Sequence, residues 1–258
     1  MKLVSGAVID GWQLQRMSKT QGKLQTWLCN PVGHPQVFRA QVLVDSEPDS
    51  PERERFERKA AISSMLPAGL APTLLHSNLD ADNPLQVYPL EPSLSLQSWL
   101  EQQSQWPSGS TMLTLASQSM HVLGALHELG YAFIDLSLKC FLVDATPEPR
   151  IWLGELENCD GTWGHSTDAR GQGSFSARNS GESHYGRSLG EFKCDFRSKN
   201  IAQAAQALAA LLGPGFQNSQ LARAMTHADP QARPTASQIL PLLLDLETEM
   251  TGVRRDVA

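Results

Sequence analysis

The chain has 258 residues, of which 41% are hydrophobic and 19% are charged, values that are typical of a globular protein and exclude a disordered one. Its formal net charge is −6 and its lysines and arginines form no cluster, which excludes a nucleic-acid-binding surface. The first residues are too polar for a secretory signal and no apolar run approaches the ~20 residues of a membrane-spanning helix, so we expect a cytoplasmic protein without a membrane partner.

Short apolar segments in the first ninety residues predict a small sheet. Three strands come first, and a further hairpin follows them after an intervening helix. The predicted strands are 12–17, 24–28, 37–44, 73–75 and 85–88.

The signals for the intervening helix lie at its start. Ser50 can accept a hydrogen bond as N-cap, Pro51 suits the first helical position, and acidic residues in the first turn complement the helix dipole. The helix is predicted to run to about Leu66. Its inner side is expected to carry Phe56, Ala60 and Met65.

The rest of the chain is predicted to be mostly helical. A short helix over 96–103 precedes a long helix over about 110–129, whose apolar residues recur at helical spacing. Gly130 ends the long helix. Three short strands are predicted after it, over 131–134, 141–143 and 151–153.

Residues 159–191 contain seven glycines, which predicts a mobile loop. An Ala-rich helix over 201–212 follows, and Asp195 either caps it or is a solvated loop residue. A final helix begins after Thr235, and residues 249–258 are expected to fray.

Two stretches carry the most specific patterns. In the first, Leu126-His127 precedes Gly130, and Asp135-Leu136 follows the next strand. The second is Asp229-Pro230-Gln231-Ala232-Arg233-Pro234-Thr235. Both resemble motifs of the eukaryotic-type Ser/Thr protein kinases. That family has Leu-His-x-x-Gly followed by His-Arg-Asp-Leu-Lys-x-x-Asn in the catalytic loop, and it has Asp-Pro-x-x-Arg-Pro-Thr before the last helix.

The resemblance implies one kinase-like α+β domain over residues 1–258, folded in two lobes. A lobe of antiparallel sheet plus one helix would span about 9–90, and a mostly helical lobe about 94–248. The glycine-rich stretch 159–191 would stand in the place of the activation segment.

The nucleotide site of the family is degenerate in this sequence. Residues 18–25 stand for the glycine-rich loop but hold a single glycine, Gly22. Gln41 stands for the strand Lys that contacts the α/β-phosphates, and Lys59 for the helix Glu that pairs with that Lys. Tyr88 falls near the gatekeeper position. These departures imply that Mg²⁺-nucleotide is not bound in the family's manner.

The register of the third strand leaves an alternative open. A slip of one residue would put Ala40, rather than Gln41, in the place of the strand Lys. Arg39 shares a face with Gln41 by strand alternation but lies a full repeat away. Neither assignment is expected to bring a cation to the phosphates.

The catalytic and metal-binding positions are also altered. Asp135 is retained, whereas Phe133-Ile134 replaces the His-Arg pair and predicts an apolar plug. Cys140 replaces the metal-binding Asn. Glu155 stands for the Asp of Asp-Phe-Gly, and Glu157 for its Gly.

Three residues are expected to be structural. The family buries the Arg that corresponds to Arg233 against the Glu of an Ala-Pro-Glu motif, which this sequence lacks. Because an unpaired buried Arg is costly, a substitute such as Glu182 or Glu191 is expected. Asp229 and Asp195 are the other two structural positions.

The resemblance therefore implies a catalytically inactive kinase-like module, a pseudokinase, that regulates or binds a protein, such as an active kinase or another signalling protein. No metal or cofactor is expected, although weak or metal-independent nucleotide binding stays open. The alternative is a divergent nucleotide-dependent transferase or kinase with Asp135 and Glu155 as metal ligands. The four cysteines lack metal-ligand spacing and are expected to be free, packed thiols.

Overall fold

The computed structural model describes residues 3–90, 93–144, 146, 149–161 and 189–251. The first lobe is built on a six-stranded antiparallel sheet in the order β1-β2-β3-β4-β6-β5. Its strands are β1 (Val8–Ile9), β2 (Trp12–Gln21), β3 (Leu24–Pro31), β4 (Phe38–Leu43), β5 (His76–Asn78) and β6 (Leu85–Pro89). The predicted strand over 73–75 lies three residues too early, and the other predicted strands of this lobe are confirmed.

A two-residue turn joins β2 to β3, because Gln21 pairs with Leu24. Gly22 lies in this turn with a φ of +59°, a left-handed conformation that glycine adopts at no steric cost. The placement of a loop over 18–25 is therefore wrong, since most of that stretch is strand and Gly22 is exposed at the hairpin tip.

The two faces of β4 have different surroundings because successive side chains of a strand alternate. Ala40 and Val42 are fully buried in an apolar cluster on one face, together with Leu14 and Trp27. Arg39 and Gln41 point to the opposite face, where they line a cavity.

The single helix of this lobe, α1 (Pro51–Met65), begins as predicted. The Ser50 side chain accepts a hydrogen bond from Arg53 N at 3.3 Å. Phe56 and Ala60 are buried on its inner side, whereas Met65 was wrongly placed there and is 46% exposed.

The second lobe is mostly helical and carries two small sheets, β10-β9-β7 and β11-β8. Its strands are β7 (Ser93–Ser95), β8 (Tyr131–Phe133), β9 (Phe141–Asp144), β10 (Ile151–Leu153) and β11 (Cys159–Gly161). Its helices are α2 (Leu96–Glu101), α3 (Gly109–Glu128), α4 (Leu189–Leu212), α5 (Pro214–Gln217), α6 (Gln220–Met225) and α7 (Ala236–Thr251).

The core of this lobe forms where α3 packs against α4 and α7. The apolar stripe of α3 is buried as its spacing predicts, with Leu115, Leu123 and Leu126 each at 0% exposure. This core confirms the predicted α+β class with a sheet-rich and a helical lobe.

The start of α4 differs from the prediction. The helix begins at Leu189, six residues before Asp195, so Asp195 neither caps it nor lies in a loop. The mobile loop predicted over 159–191 falls largely on residues 162–188, which lie outside the described residues, as do Glu182 and the tail after residue 251.

The motif before α7 has a compact hydrogen-bonded structure. The Asp229 side chain accepts from Gln231 N at 2.9 Å and opens a short 3₁₀ turn. Arg233 is half-buried and donates to the carbonyl of His227 at 2.8 Å and to that of Ser198 at 3.0 Å. Carbonyl oxygens thus accept from two nitrogens of the guanidinium, and Arg233 is less buried than expected. Its predicted carboxylate partner stays a prediction, because Glu182 and the side chain of Glu191 lie outside the described part of the chain.

Among the described residues, no helix is long and apolar enough to cross a membrane. Cys29, Cys140 and Cys159 are buried free thiols, as predicted.

Candidate functional site

A cavity of about 140 Å³ lies between the inner face of the first-lobe sheet and the β9–β10 region of the second lobe. Its upper wall comes from β4, β6 and α1, and its floor from β9, β10 and the residues after β10. The lining residues are Arg39, Gln41, Lys59, Ser63, Pro72, Tyr88, Leu142, Leu153, Gly154, Glu155 and Leu156.

Two cationic side chains flank the ring of Tyr88 in this cavity. Arg39 Cζ lies 5.5 Å from the ring centroid and Lys59 Nζ lies 5.6 Å from it, both within cation–π range. Tyr88 is 1% exposed and its hydroxyl donates to Gln86 Oε1 at 2.5 Å. Burial raises the pKa of Tyr88 well above its ordinary value, so the phenol stays neutral.

Gln41 lies next to these cations but supplies no charge. Its Oε1 atom is buried and accepts no hydrogen bond from the described residues. An amide in this place can accept and donate hydrogen bonds, but it cannot neutralise a phosphate.

Lys59 forms an ion pair across the two lobes. Its Nζ lies 3.2 Å from Glu157 Oε2, and the two side chains are 14% and 32% exposed. Burial of Glu157 disfavours its charged form, but the nearby charge of Lys59, helped by the residue's own backbone, outweighs burial and lowers the pKa of Glu157. The Glu157 carboxylate is therefore charged at neutral pH.

The floor of the cavity depends on a close approach of two strands. A Cβ at Gly154 would lie 2.8 Å from Leu142 Cγ, so a larger residue at this position requires the Leu142 side chain to shift. Gly154 N donates to Cys140 O at 2.7 Å. The next residue, Glu155, is exposed and has a φ of +49°, which turns the chain into a short 3₁₀ helix over Leu156–Asn158.

Two polar residues of α4 hold the loop that contains Asp135. Asn200 is fully buried, accepts from Phe133 N at 2.9 Å and donates to Phe133 O at 2.8 Å. Gln203 donates to Asp135 Oδ1 at 2.6 Å and accepts from Leu136 N at 3.1 Å. The retained carboxylate of Asp135 is therefore anchored to α4, although the residue is exposed.

Cys140 lies beneath this loop with its side chain fully buried. Its Sγ donates to Asp135 O at 3.5 Å, and burial raises its pKa to about 11. A neutral thiol is a poor ligand for a hard cation, which prefers oxygen. Within the described ranges, no three His, Cys, Asp or Glu side chains converge in a geometry that could hold a metal ion.

Solved structures share this architecture. Two crystal structures of the Mycobacterium tuberculosis PknI kinase domain, a double mutant and a single mutant, match it with TM-scores of 0.63 and 0.61. The sequence identities are 12% and 13%, and the matches cover 95% and 96% of this chain and 99% and 100% of the solved chains. This chain has a protein-kinase-like fold. No protein-family model and no curated protein matches the sequence.

In this kinase-like fold, the residues predicted for the degenerate nucleotide site lie in three different places. Gln41, Lys59, Tyr88 and Glu155 line the cavity. Cys140 is buried below its floor, and Gly22 lies at the exposed tip of the β2–β3 hairpin. The apolar plug is half present, since Phe133 is fully buried while Ile134 is 44% exposed.

Four residues of the site were not predicted from the sequence. Arg39 was placed a full repeat away, yet it lines the cavity. Glu157, Asn200 and Gln203 were not assigned partners. A signal for the pair of Lys59 and Glu157 was present in the sequence. Lys59 stands in the place of a family Glu and Glu157 in the place of a family Gly, so the two substitutions bring opposite charges. The signal for the α4 pair was an Asn and a Gln three residues apart within an Ala-rich helix.

Proposed function

We propose that this protein is a catalytically inactive kinase-like domain that acts as a regulatory or protein-interaction module. The observation that supports the proposal most directly is that the cavity is small and contains two cationic side chains. At about 140 Å³ it is smaller than the roughly 300–1,000 Å³ of sites that bind drug-sized ligands. Arg39 and Lys59 reach into this space, with Cζ and Nζ 5.5 Å and 5.6 Å from the centroid of the Tyr88 ring.

The charges around the cavity support the same proposal. Phosphoryl transfer depends on positioning and on cations that neutralise the phosphates. Gln41 is neutral, and the charge of Lys59 is committed to Glu157. Cys140 supplies a buried neutral thiol where the family uses a metal ligand. Each lost charge-stabilising group costs ~10²–10³ in rate, so the combined loss is severe even though such effects are not additive.

A kinase-like domain that does not use its cleft for chemistry acts through its surface. The partner that fits this chain is a protein, and an active kinase or another signalling protein is the class that the fold favours. The net charge of −6 argues against a nucleic acid.

A divergent nucleotide-dependent transferase is the second candidate. The observation in its favour is that Asp135 and Glu155 are both exposed, so a hydrated cation has access to them. Against it stand the 2.6 Å hydrogen bond from Gln203 to Asp135 and the lack of a third converging ligand among the described residues.

The decisive experiment is incubation with γ-labelled ATP, Mn²⁺ and generic protein acceptors, beside an Asp135→Asn control. We expect no label above that control. A thermal-shift panel with ATP, GTP and AMP analogues, each with and without Mg²⁺ or Mn²⁺, accompanies it, because a ligand that binds the native state stabilises it. Label that disappears in Asp135→Asn, or stabilisation that requires the divalent ion, would establish the transferase instead.

A further inference from the structure

Two neighbouring cations of α1 bind the same short segment of the second lobe. Lys59 Nζ lies 3.2 Å from Glu157 Oε2. Arg58 Nη1 donates to Cys159 O at 2.9 Å and lies 3.7 Å from Asp160 Oδ1. We call this set of contacts between residues 58–59 and 157–160 the α1 latch.

The latch engages the segment from two directions. Successive residues of an α-helix point about 100° apart, and Arg58 and Lys59 accordingly contact different residues of the segment. Arg58 also pairs with Glu54 Oε1 at 2.6 Å, one turn earlier on α1, which orients its guanidinium. Lys59 is 14% exposed and Glu157 32%, so solvent screens this pair less than it screens an ion pair on the surface, whereas Asp160, the partner of Arg58, is 47% exposed.

The segment that the latch grips is itself fixed to the helical lobe. Cys159 pairs with Phe133 between β11 and β8, and Ile134 N donates to Asn158 O at 3.0 Å. Phe133 is in turn clamped by Asn200 of α4. A continuous chain of contacts therefore joins α1 to the core of the second lobe.

Of the latch residues, Lys59 alone lines the cavity, whereas its partner Glu157 and the Arg58 contacts lie outside the lining. The β4 residue in the place of the family's Lys is Gln41, and the partner of Lys59 lies on the other lobe instead. The polarity is reversed, because the helix carries the cation and the opposite element carries the carboxylate.

We propose that the α1 latch holds the two lobes together without any nucleotide, so that the packing of α1 against residues 157–160 is a permanent property of the fold. The inference deepens the proposed function, on which it rests, since a non-catalytic module needs a constant surface rather than a ligand-dependent one. The position of α1 then responds to what happens at residues 157–160 and not to occupancy of the cavity.

The test is hydrogen exchange of the α1 amides in the full chain and in charge-swapped variants. Lys59→Glu and Glu157→Lys should each raise α1 exchange by about 10-fold or more, because each places like charges in contact across the lobes. The double swap should restore exchange to within about 3-fold of the original chain. Arg55→Glu, a swap at an exposed cation on the same helix, is the matched control and should leave the α1 amides unchanged.

Local opening is separated from unfolding by the amides of α3, which should keep their protection. A second contact can keep the two lobes together when the latch opens, because Leu153 N donates to Leu70 O at 2.8 Å just beyond α1. If a charge swap abolishes α3 protection, the neutral Lys59→Met and Glu157→Gln variants replace it, with the same expected direction.

The latch would be refuted if α1 exchange were unchanged in all the single variants. It would also be refuted if the α1 amides of the double swap exchanged as fast as those of the single swaps. ATP analogue with Mg²⁺ should leave α1 exchange in the original chain unaltered, and added protection of α1 by nucleotide would also overturn it. Phosphate transfer by the original chain would instead refute the proposed function while the swap results still decide the latch.

Discussion

Lys59 of α1 and Glu157, four residues beyond β10, form an ion pair of 3.2 Å that reverses the polarity expected of a kinase-like cleft. Both residues depart from the family pattern, and each departure compensates the other. A lysine alone at this place would be a half-buried cation, and a glutamate alone would be a half-buried anion.

The Lys59–Glu157 pair predicts a specific acid sensitivity. The pKa of Glu157 is lowered in the folded state, so the unfolded chain binds its proton more readily. The stabilisation is complete above the unfolded pKa of about 4.5 and is lost as the pH falls below it. Urea titrations at pH 6 and pH 3.5 should show a larger acid loss for the original chain than for Glu157→Gln, by at most about 1.4 kcal/mol, the ceiling that linkage sets one pH unit below the unfolded pKa. Equal losses in the two proteins would mean that the pair contributes nothing.

His127 predicts a second, separate pH dependence. Burial, assisted by the charge of Arg197 and opposed by the hydrogen bond to Asn200, lowers the pKa of His127 to about 4. The unfolded chain therefore takes up this proton first, and stability falls as the pH drops from about 6.5 to about 4. The expected loss is roughly 3 kcal/mol. His127→Asn should lack this component of the unfolding free energy, and a variant with the original pH profile would contradict the assignment.

Gly154 predicts a steric effect at the floor of the cavity. An alanine Cβ there would meet Leu142 Cγ at 2.8 Å, so Gly154→Ala should destabilise the fold by ~1–3 kcal/mol in chemical denaturation. The control is Gly109→Ala at the start of α3, where a Cβ meets nothing within 4 Å and the change should be ~0.5 kcal/mol or less. Adding Leu142→Ala to Gly154→Ala should restore part of the lost unfolding free energy, because it removes the clashing atoms. If it restores none, contact with Leu142 is not the cause of the destabilisation.

Arg233 predicts a moderate effect rather than a large one. Its guanidinium donates to carbonyl oxygens of His227 and Ser198 and remains half-buried. Arg233→Ala should therefore cost about 1–3 kcal/mol in a urea titration, the range of hydrogen bonds from a charged group. Arg233→Lys should recover little, because one ammonium cannot reproduce the planar fork. A cost of 4 kcal/mol or more would indicate a carboxylate partner.

The parts of this fold that depend on local chemistry were predictable from the sequence. Ser50 and Pro51 mark the start of α1 with an N-cap and a helix-compatible proline, and the structure begins the helix there. The stripe of α3 follows from helical spacing alone.

The parts that depend on distant partners were not predictable in this way. Lys59 and Glu157 are separated by almost a hundred residues, and local patterns do not register such a pair. Asp195 was expected to cap the helix or lie in a loop because Asp195-Phe196-Arg197-Ser198 resembles the Asp-x-x-Ser with which the kinase family opens this helix, yet α4 continues back to Leu189. Arg39 was set aside because strand alternation gives the face of a side chain but not how far a long one reaches.

The obstruction of the cavity can be tested by removing it. Arg39→Ala shortens the side chain that lies 5.5 Å from the Tyr88 ring, and Gln41→Lys supplies a cation on the same face of β4. We expect the double variant to gain binding of an ATP analogue that the original chain lacks. With a Kd of ~0.1 mM and 1 mM analogue, the stabilisation would be about 1.4 kcal/mol, which differential scanning fluorimetry resolves. The double variant keeps the net charge, so Arg55→Ala, which removes an exposed arginine from α1, controls for the removal of an arginine away from the cavity. A folded double variant that shows no shift, or an original chain that shifts equally, would mean that Arg39 and Gln41 are not what closes the site.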